Sequence, residues 1–218
     1  MRQGSKSNAP PDNLRRGGKF YQGKGALIEP DITGSCGAWF TLLCECLGKI
    51  EVTREGGPER IGLDEAMKDL IAQLHEVHRK GGKVIFVGNG GSAAIASHMA
   101  VDYSKNGGIR SLAFNDAAML TCLANDYGYQ NVFAKQIEYH GKKGDAIVIV
   151  SSSGRSLNII AAADEARKRR FSLIVTLTGM NPNNVLRAKG SLNFYVPSTD
   201  YGLVELSHLV ILHAMVGR

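Results

Sequence analysis

The chain predicts an α/β fold, a doubly wound and mostly parallel sheet of five strands flanked by helices. Two observations carry this. From Lys83 onward, short apolar runs rich in Val and Ile alternate with segments of helical period. Strands buried on both faces read as such near-continuous runs. Strand–helix alternation builds right-handed βαβ units, and those make a parallel sheet. In addition, three of the runs end in clusters of Gly, Ser and Thr, and ligands of such sheets sit at those strand ends.

Residues 1–33 are rich in Gly, Pro, Ser, Asn and basic residues and show no periodicity. They read as a poorly ordered basic extension, leaving 34–218 as the folded unit with two leading helices. The first, over 38–50, is apolar and is followed by the Gly56-Gly57-Pro58 punctuation. The second covers 63–80. Leu63, Met67, Leu70, Leu74 and Val77 keep helical spacing there, Asp64 and Glu65 open it and Gly81-Gly82 end it. His75 and His78 on this helix read as structural. Strands then follow at 83–88, 109–114, 145–151, 172–179 and 192–198, with helices at 92–104, 117–124, 130–141, 156–169 and 203–216.

The net charge of +6 belongs to the tail. Residues 1–25 hold Arg2, Lys6, Arg15, Arg16, Lys19 and Lys24 against Asp12, which leaves +1 for the remainder. A nearly neutral globular part argues against a nucleic-acid face. No apolar segment follows the N-terminal charges, and AWFTLLCECL is too short to cross a bilayer. The expectation is a cytoplasmic protein with no membrane or nucleic-acid partner. Four cysteines show no disulfide framework, and Cys44-x-Cys46 lacks the second half of a metal site.

The glycine and serine clusters are Gly88-Asn89-Gly90-Gly91-Ser92, Ser151-Ser152-Ser153-Gly154-Arg155-Ser156 and Thr176-Leu177-Thr178-Gly179. Glycine lets backbone approach a ligand, and a helix starting just beyond points free N–H groups at an anion. Gly88-x-Gly90-x-x-Ala93 also matches the dinucleotide fingerprint. The acidic residue which that fingerprint needs after the second strand is lacking, since only Asp116 follows, at a helix start. The serine loop suits a monophosphate better than a pyrophosphate.

His98 and Asp102 are four apart and share one helix face. Glu205 and His213, eight apart on the last helix, lie about 80° apart around its axis. Two imidazoles and two carboxylates suit zinc. Each pair by itself also fits an amphipathic helix with a satisfied histidine and a solvated carboxylate. His208 lies on an adjoining stripe, suited to packing or to supporting the site.

GNGGS after a strand, then ANDYGY (124–129), SSSGRS and TLTG resemble the sugar isomerase (SIS) domain family, and within it the stand-alone phosphoheptose isomerases. His98 and the ELSHLVILH stretch at 205–213 match that stand-alone group. The resemblance runs from about Trp39 to the C-terminus. It implies an isomerase that interconverts sedoheptulose 7-phosphate and glycero-manno-heptose 7-phosphate through a cis-enediol, for heptose biosynthesis. It implies one zinc per subunit on His98, Asp102, Glu205 and His213, with Asp102 as general base and His213 as its acid–base partner. Ser92, Ser151, Ser153 and Ser156 would hold the phosphate, with Gly90, Gly91 and Ser152 in the same loops. Asn89, Asp126 and Glu205 would face the sugar. The family assembles as a homotetramer, and the nearly all-apolar LVELSHLVILHAMV helix agrees with burial between subunits.

The chain departs from the family in four places. Asp102 replaces a Glu and is one methylene shorter, which would set the base back by about 1 Å. Glu205 replaces a Gln, and Gly202 falls where an Asp meets the sugar. The SKNGGIRS connection is shorter than the family's and less basic. A catalytically silent SIS protein that binds a phosphosugar or a partner protein is the alternative.

Overall fold

The computed structural model describes residues 27–28, 34–55 and 59–216. Helix α1 (Cys36–Gly48) leads into strands β1 (Glu51–Arg54) and β2 (Arg60–Ile61), then helix α2 (Leu63–Arg79). The alternating part follows as β3 (Val84–Gly88), α3 (Gly91–Lys105), β4 (Ser111–Ala113), α4 (Ala117–Tyr127) and α5 (Val132–His140). It closes with β5 (Ala146–Ser151), α6 (Leu157–Lys168), β6 (Leu173–Gly179), β7 (Leu192–Val196) and α7 (Tyr201–His213).

The sheet order is β2-β1-β7-β6-β5-β3-β4. The five strands from β3 onward pair in parallel, as the apolar runs predict. Side chains along them alternate between two cores. Val84, Phe86, Ala146, Val148 and Val150 pack on the side of α2, α3 and α7. Ile85, Val87, Ile147 and Ile149 pack on the side of α4, α5 and α6. This two-residue period buries both faces and explains the unbroken hydrophobic runs.

Seven strands form rather than five. β1 joins β7 antiparallel, with Glu51 opposite Tyr195, and β2 folds back on β1. The predicted first helix therefore ends early, at Gly48, with the Lys49 amide donating to the Cys46 carbonyl. EVTR conceals its strand character because Glu51 is buried. The Glu51 carboxylate meets the Arg187 guanidinium at 2.8 Å and Arg60 at 2.5 Å. Burial of a carboxylate needs such partners, and Arg187 lies 136 residues away in sequence.

Ile28, inside the stretch expected to be an extension, forms a parallel bridge with Ser198. Its amide donates to the Pro197 carbonyl at 2.7 Å, the Ser198 hydroxyl donates to its carbonyl at 2.8 Å, and its side chain is buried. Residues 1–26 and 29–33 lie outside the described residues. Deleting residues 1–33 is expected to cost about 2 kcal/mol, the scale of one buried Ile, or roughly 4–8 °C in Tm. Deleting residues 1–25 spares these contacts and should leave Tm unchanged. Calorimetry of both truncations is the check, and equal melting points would show that Ile28 contributes nothing. Among the described residues, no helix is long and apolar enough to cross a membrane.

Candidate active site

Two loops meet at the carboxyl ends of β3 and β5. After Gly88 the chain turns through Gly90, whose φ of 55° is the left-handed region that favours glycine. No side chain caps α3, so its first amides are left to face outward. The Glu205 carboxylate lies over Gly91, where a side chain would displace it. In the second loop Gly154 has φ 61°, and its amide donates to both the Ser151 carbonyl and hydroxyl at 3.2 Å. Ser156 precedes α6 without bonding its own helix through its side chain. The Ser152 hydroxyl is buried and has no hydrogen-bond partner among the described residues.

The loops are stapled together. Asn89 and Asn158 exchange two amide hydrogen bonds, at 3.0 and 2.9 Å, and the Tyr129 hydroxyl donates to Asn89 Oδ1 at 3.1 Å. Asn158 does not stand out in the sequence, and Tyr129 does so only as the last residue of ANDYGY. Asp126 is exposed on α4 and accepts from Asn125 at 2.9 Å and Cys122 at 3.6 Å. Three residues on, Tyr129 is the member of ANDYGY that reaches the glycine loop.

One face of α3 and the end of α7 bring the titratable cluster together. His98 Nε2 lies 3.3 Å from His213 Nε2, and Asp102 Oδ2 lies 3.6 Å from His98 Nε2 and 3.4 Å from His213 Nδ1. Asn106 steadies the other Asp102 oxygen at 3.3 Å. The imidazoles are about half exposed, while the Asp102 side chain is only 17% exposed. Ligand atoms on a tetrahedral divalent ion with bonds of ~2.0–2.1 Å lie about 3.3 Å apart. His213 faces His98 through Nε2 and Asp102 through Nδ1; with one donor from each residue the three lie within 4.8 Å of one another, a group that can hold such an ion. The shorter Asp102 side chain reaches both histidines, so the missing methylene is no handicap toward them.

Glu205 is not brought into this group; its carboxylate lies over Gly91, at the start of α3. Eight residues share a side of α7, but they span about 12 Å along its axis. Gly91 beside Glu205 and Asp102 beside His213 show that α3 and α7 run side by side in the same sense. Glu205 is thereby matched to the phosphate-type loop, away from the histidines.

His208 is core. It is fully buried, and Nε2 donates to the Thr178 carbonyl at 3.1 Å while Nδ1 has no partner. Burial holds its pKa down to about 4, with the Thr178 carbonyl only partly opposing. The unfolded chain, with an ordinary histidine near 6.5, binds a proton first as pH falls. This stabilisation is complete above about pH 6.5 and is lost as pH falls toward 4. Denaturant melts should show about 2–3 kcal/mol less stability at pH 4.5 than at pH 7 from this group. His208→Gln should flatten that part of the profile; an unchanged slope would assign it to the carboxylates.

A sugar-phosphate site on a doubly wound sheet is the class these features define. A family profile of the SIS domain matches residues 60–179. A phosphoheptose isomerase of Thermodesulfovibrio yellowstonii is 36% identical over 164 residues, covering 72% of this chain and 79% of that protein. One from Helicobacter pylori is 32% identical over 160 residues, covering 71% and 82%. The solved phosphoheptose isomerase from Neisseria gonorrhoeae superposes with a TM-score of 0.70 at 28% identity, covering 82% of this chain and 94% of that one. The chain belongs to the SIS-domain family and, within it, to the phosphoheptose isomerases.

Proposed function

We propose that this protein isomerises sedoheptulose 7-phosphate to glycero-manno-heptose 7-phosphate, an aldose–ketose conversion that supplies heptose biosynthesis. The observation that carries the reading is the cluster of His98 and Asp102, on the helix that leaves a phosphate-type loop, with His213 of α7. Ser92, Ser151, Ser152, Ser153 and Ser156 hold the phosphate together with the amides of Gly90 and Gly91. Asn89, Asp126 and Glu205 face the sugar. Asp102 removes the proton on the carbon next to the carbonyl, giving the cis-enediolate; a proton passes from the hydroxyl oxygen to the former carbonyl oxygen through the cis-enediol, and His213 returns a proton at the neighbouring carbon. Asn106, bonded to the other carboxylate oxygen, keeps the Asp102 oxygen turned to the histidines. When bound by His98, Asp102 and His213, a zinc ion, one per subunit, supplies Lewis-acid polarisation of the substrate oxygens.

The protein acts in the cytoplasm as a homotetramer. Tyr201, Leu206 and Val210 on α7 and Val101 on α3 are exposed apolar groups flanking the site, and a subunit contact would cover them. Sedimentation tests the assembly. The function is tested by turnover of sedoheptulose 7-phosphate by full-length protein purified without chelator. Binding without turnover would favour the silent phosphosugar-binding protein.

A further inference from the structure

We infer that Tyr129 and Asn158 are positioning residues that lock Asn89 against the sugar, joining three connections of the fold into one rigid wall. This rests on the phosphosugar reading above. The geometry is specific. Asn89 stands at the end of β3, Asn158 in the first turn of α6, and Tyr129 in the turn Tyr129–Asn131 between α4 and α5. Asn89 Nδ2 donates to Asn158 Oδ1 at 3.0 Å and Asn158 Nδ2 donates back to Asn89 Oδ1 at 2.9 Å. The Tyr129 hydroxyl adds a second donor to the same oxygen at 3.1 Å. An amide oxygen has two lone pairs and the nitrogen two hydrogens. Both Asn89 oxygen positions are thus taken, and one N–H remains for a ligand.

The two partners do different work. Asn158 is 3% exposed, so its amide is committed to Asn89 and cannot be satisfied by water instead. It ties the glycine loop to the first turn behind the serine loop, setting the spacing between phosphate and sugar contacts. Tyr129 is 56% exposed, so its hydroxyl contributes little to folding and acts through Asn89. A side chain held by three hydrogen bonds loses less freedom when the substrate binds, which is how such a support lowers the cost of reaching the productive geometry.

The test is a double-mutant cycle between Tyr129→Phe and Asn89→Ala, read by kcat/KM and by the Kd for sedoheptulose 7-phosphate from calorimetry. In the wild-type background, Tyr129→Phe should lower kcat/KM about fivefold to tenfold, with Tm unchanged. In the Asn89→Ala background the same change should cost less than about twofold, because the residue it acts through is gone. An equal loss in both backgrounds, or no loss in the first, overturns the inference. Asn158→Asp, which keeps one acceptor and loses the return donor, should show the same non-additivity with Asn89→Ala. If wild type binds the sugar phosphate without isomerising it, the isomerase reading fails, and the cycle is decided on Kd alone. If wild type does not bind it, both fall.

Discussion

Asp102→Asn is expected to lower turnover of sedoheptulose 7-phosphate by about 10²- to 10⁴-fold, on the order of 3–5 kcal/mol of barrier. Asparagine keeps the shape of the side chain but cannot take a proton. Phosphosugar affinity should change far less, because the glycine loop proposed to hold the phosphate, with the serine loop, lies at the other end of α3 from Asp102. The expected pattern is a fall in kcat with a nearly constant Kd. Ser153→Ala should do the reverse, weakening binding with chemistry less affected. Asp102→Glu probes the methylene. The Asp102 oxygen already stands 3.4 and 3.6 Å from the two imidazoles, so Glu is expected to stay within about tenfold of wild type. Normal turnover by the Asn variant would place the base elsewhere.

The metal prediction is comparably large and separates the residues that the structure separates. His98→Ala removes one of three converging donors and should cost more than the roughly 10- to 100-fold in metal affinity typical of a supporting residue. Elemental analysis after purification without chelator should fall from about one zinc per subunit to near none, with turnover falling alongside. Glu205→Ala tests the expected fourth ligand: a fall in metal content would join Glu205 to the metal site, and intact metal would leave its carboxylate to the sugar hydroxyls near Gly91. Equal metal in wild type and in His98→Ala/His213→Ala would overturn the site. Oxygen in the donor set leaves room for other divalent ions, and exchange with Mn²⁺ would measure it.

Some of this was legible without coordinates because its causes are local. VIFVG, AIVIVS and LIVTLTG are strands because residues two apart meet the same core and both faces are covered. His98 and Asp102 meet because four residues are one turn of helix. Gly90 and Gly154 announce their loops because only glycine sits easily at φ 55° and 61°. EVTR was illegible for the opposite reason. Its buried Glu51 looks like a surface residue until Arg187 is placed beside it.

Local pattern therefore determined the parallel α/β sheet, the two anion-type loops and the helix carrying His98 and Asp102. Tertiary structure alone decided which other residues join them. His213 lies 115 residues from His98, and Asn158 lies 69 residues from Asn89. Nothing in either neighbourhood of the chain encodes such a meeting. It depends on β5 pairing beside β3 and on α7 packing along α3. The same packing set Glu205 apart, since angular agreement around a helix says nothing of the roughly 12 Å between two residues along its axis.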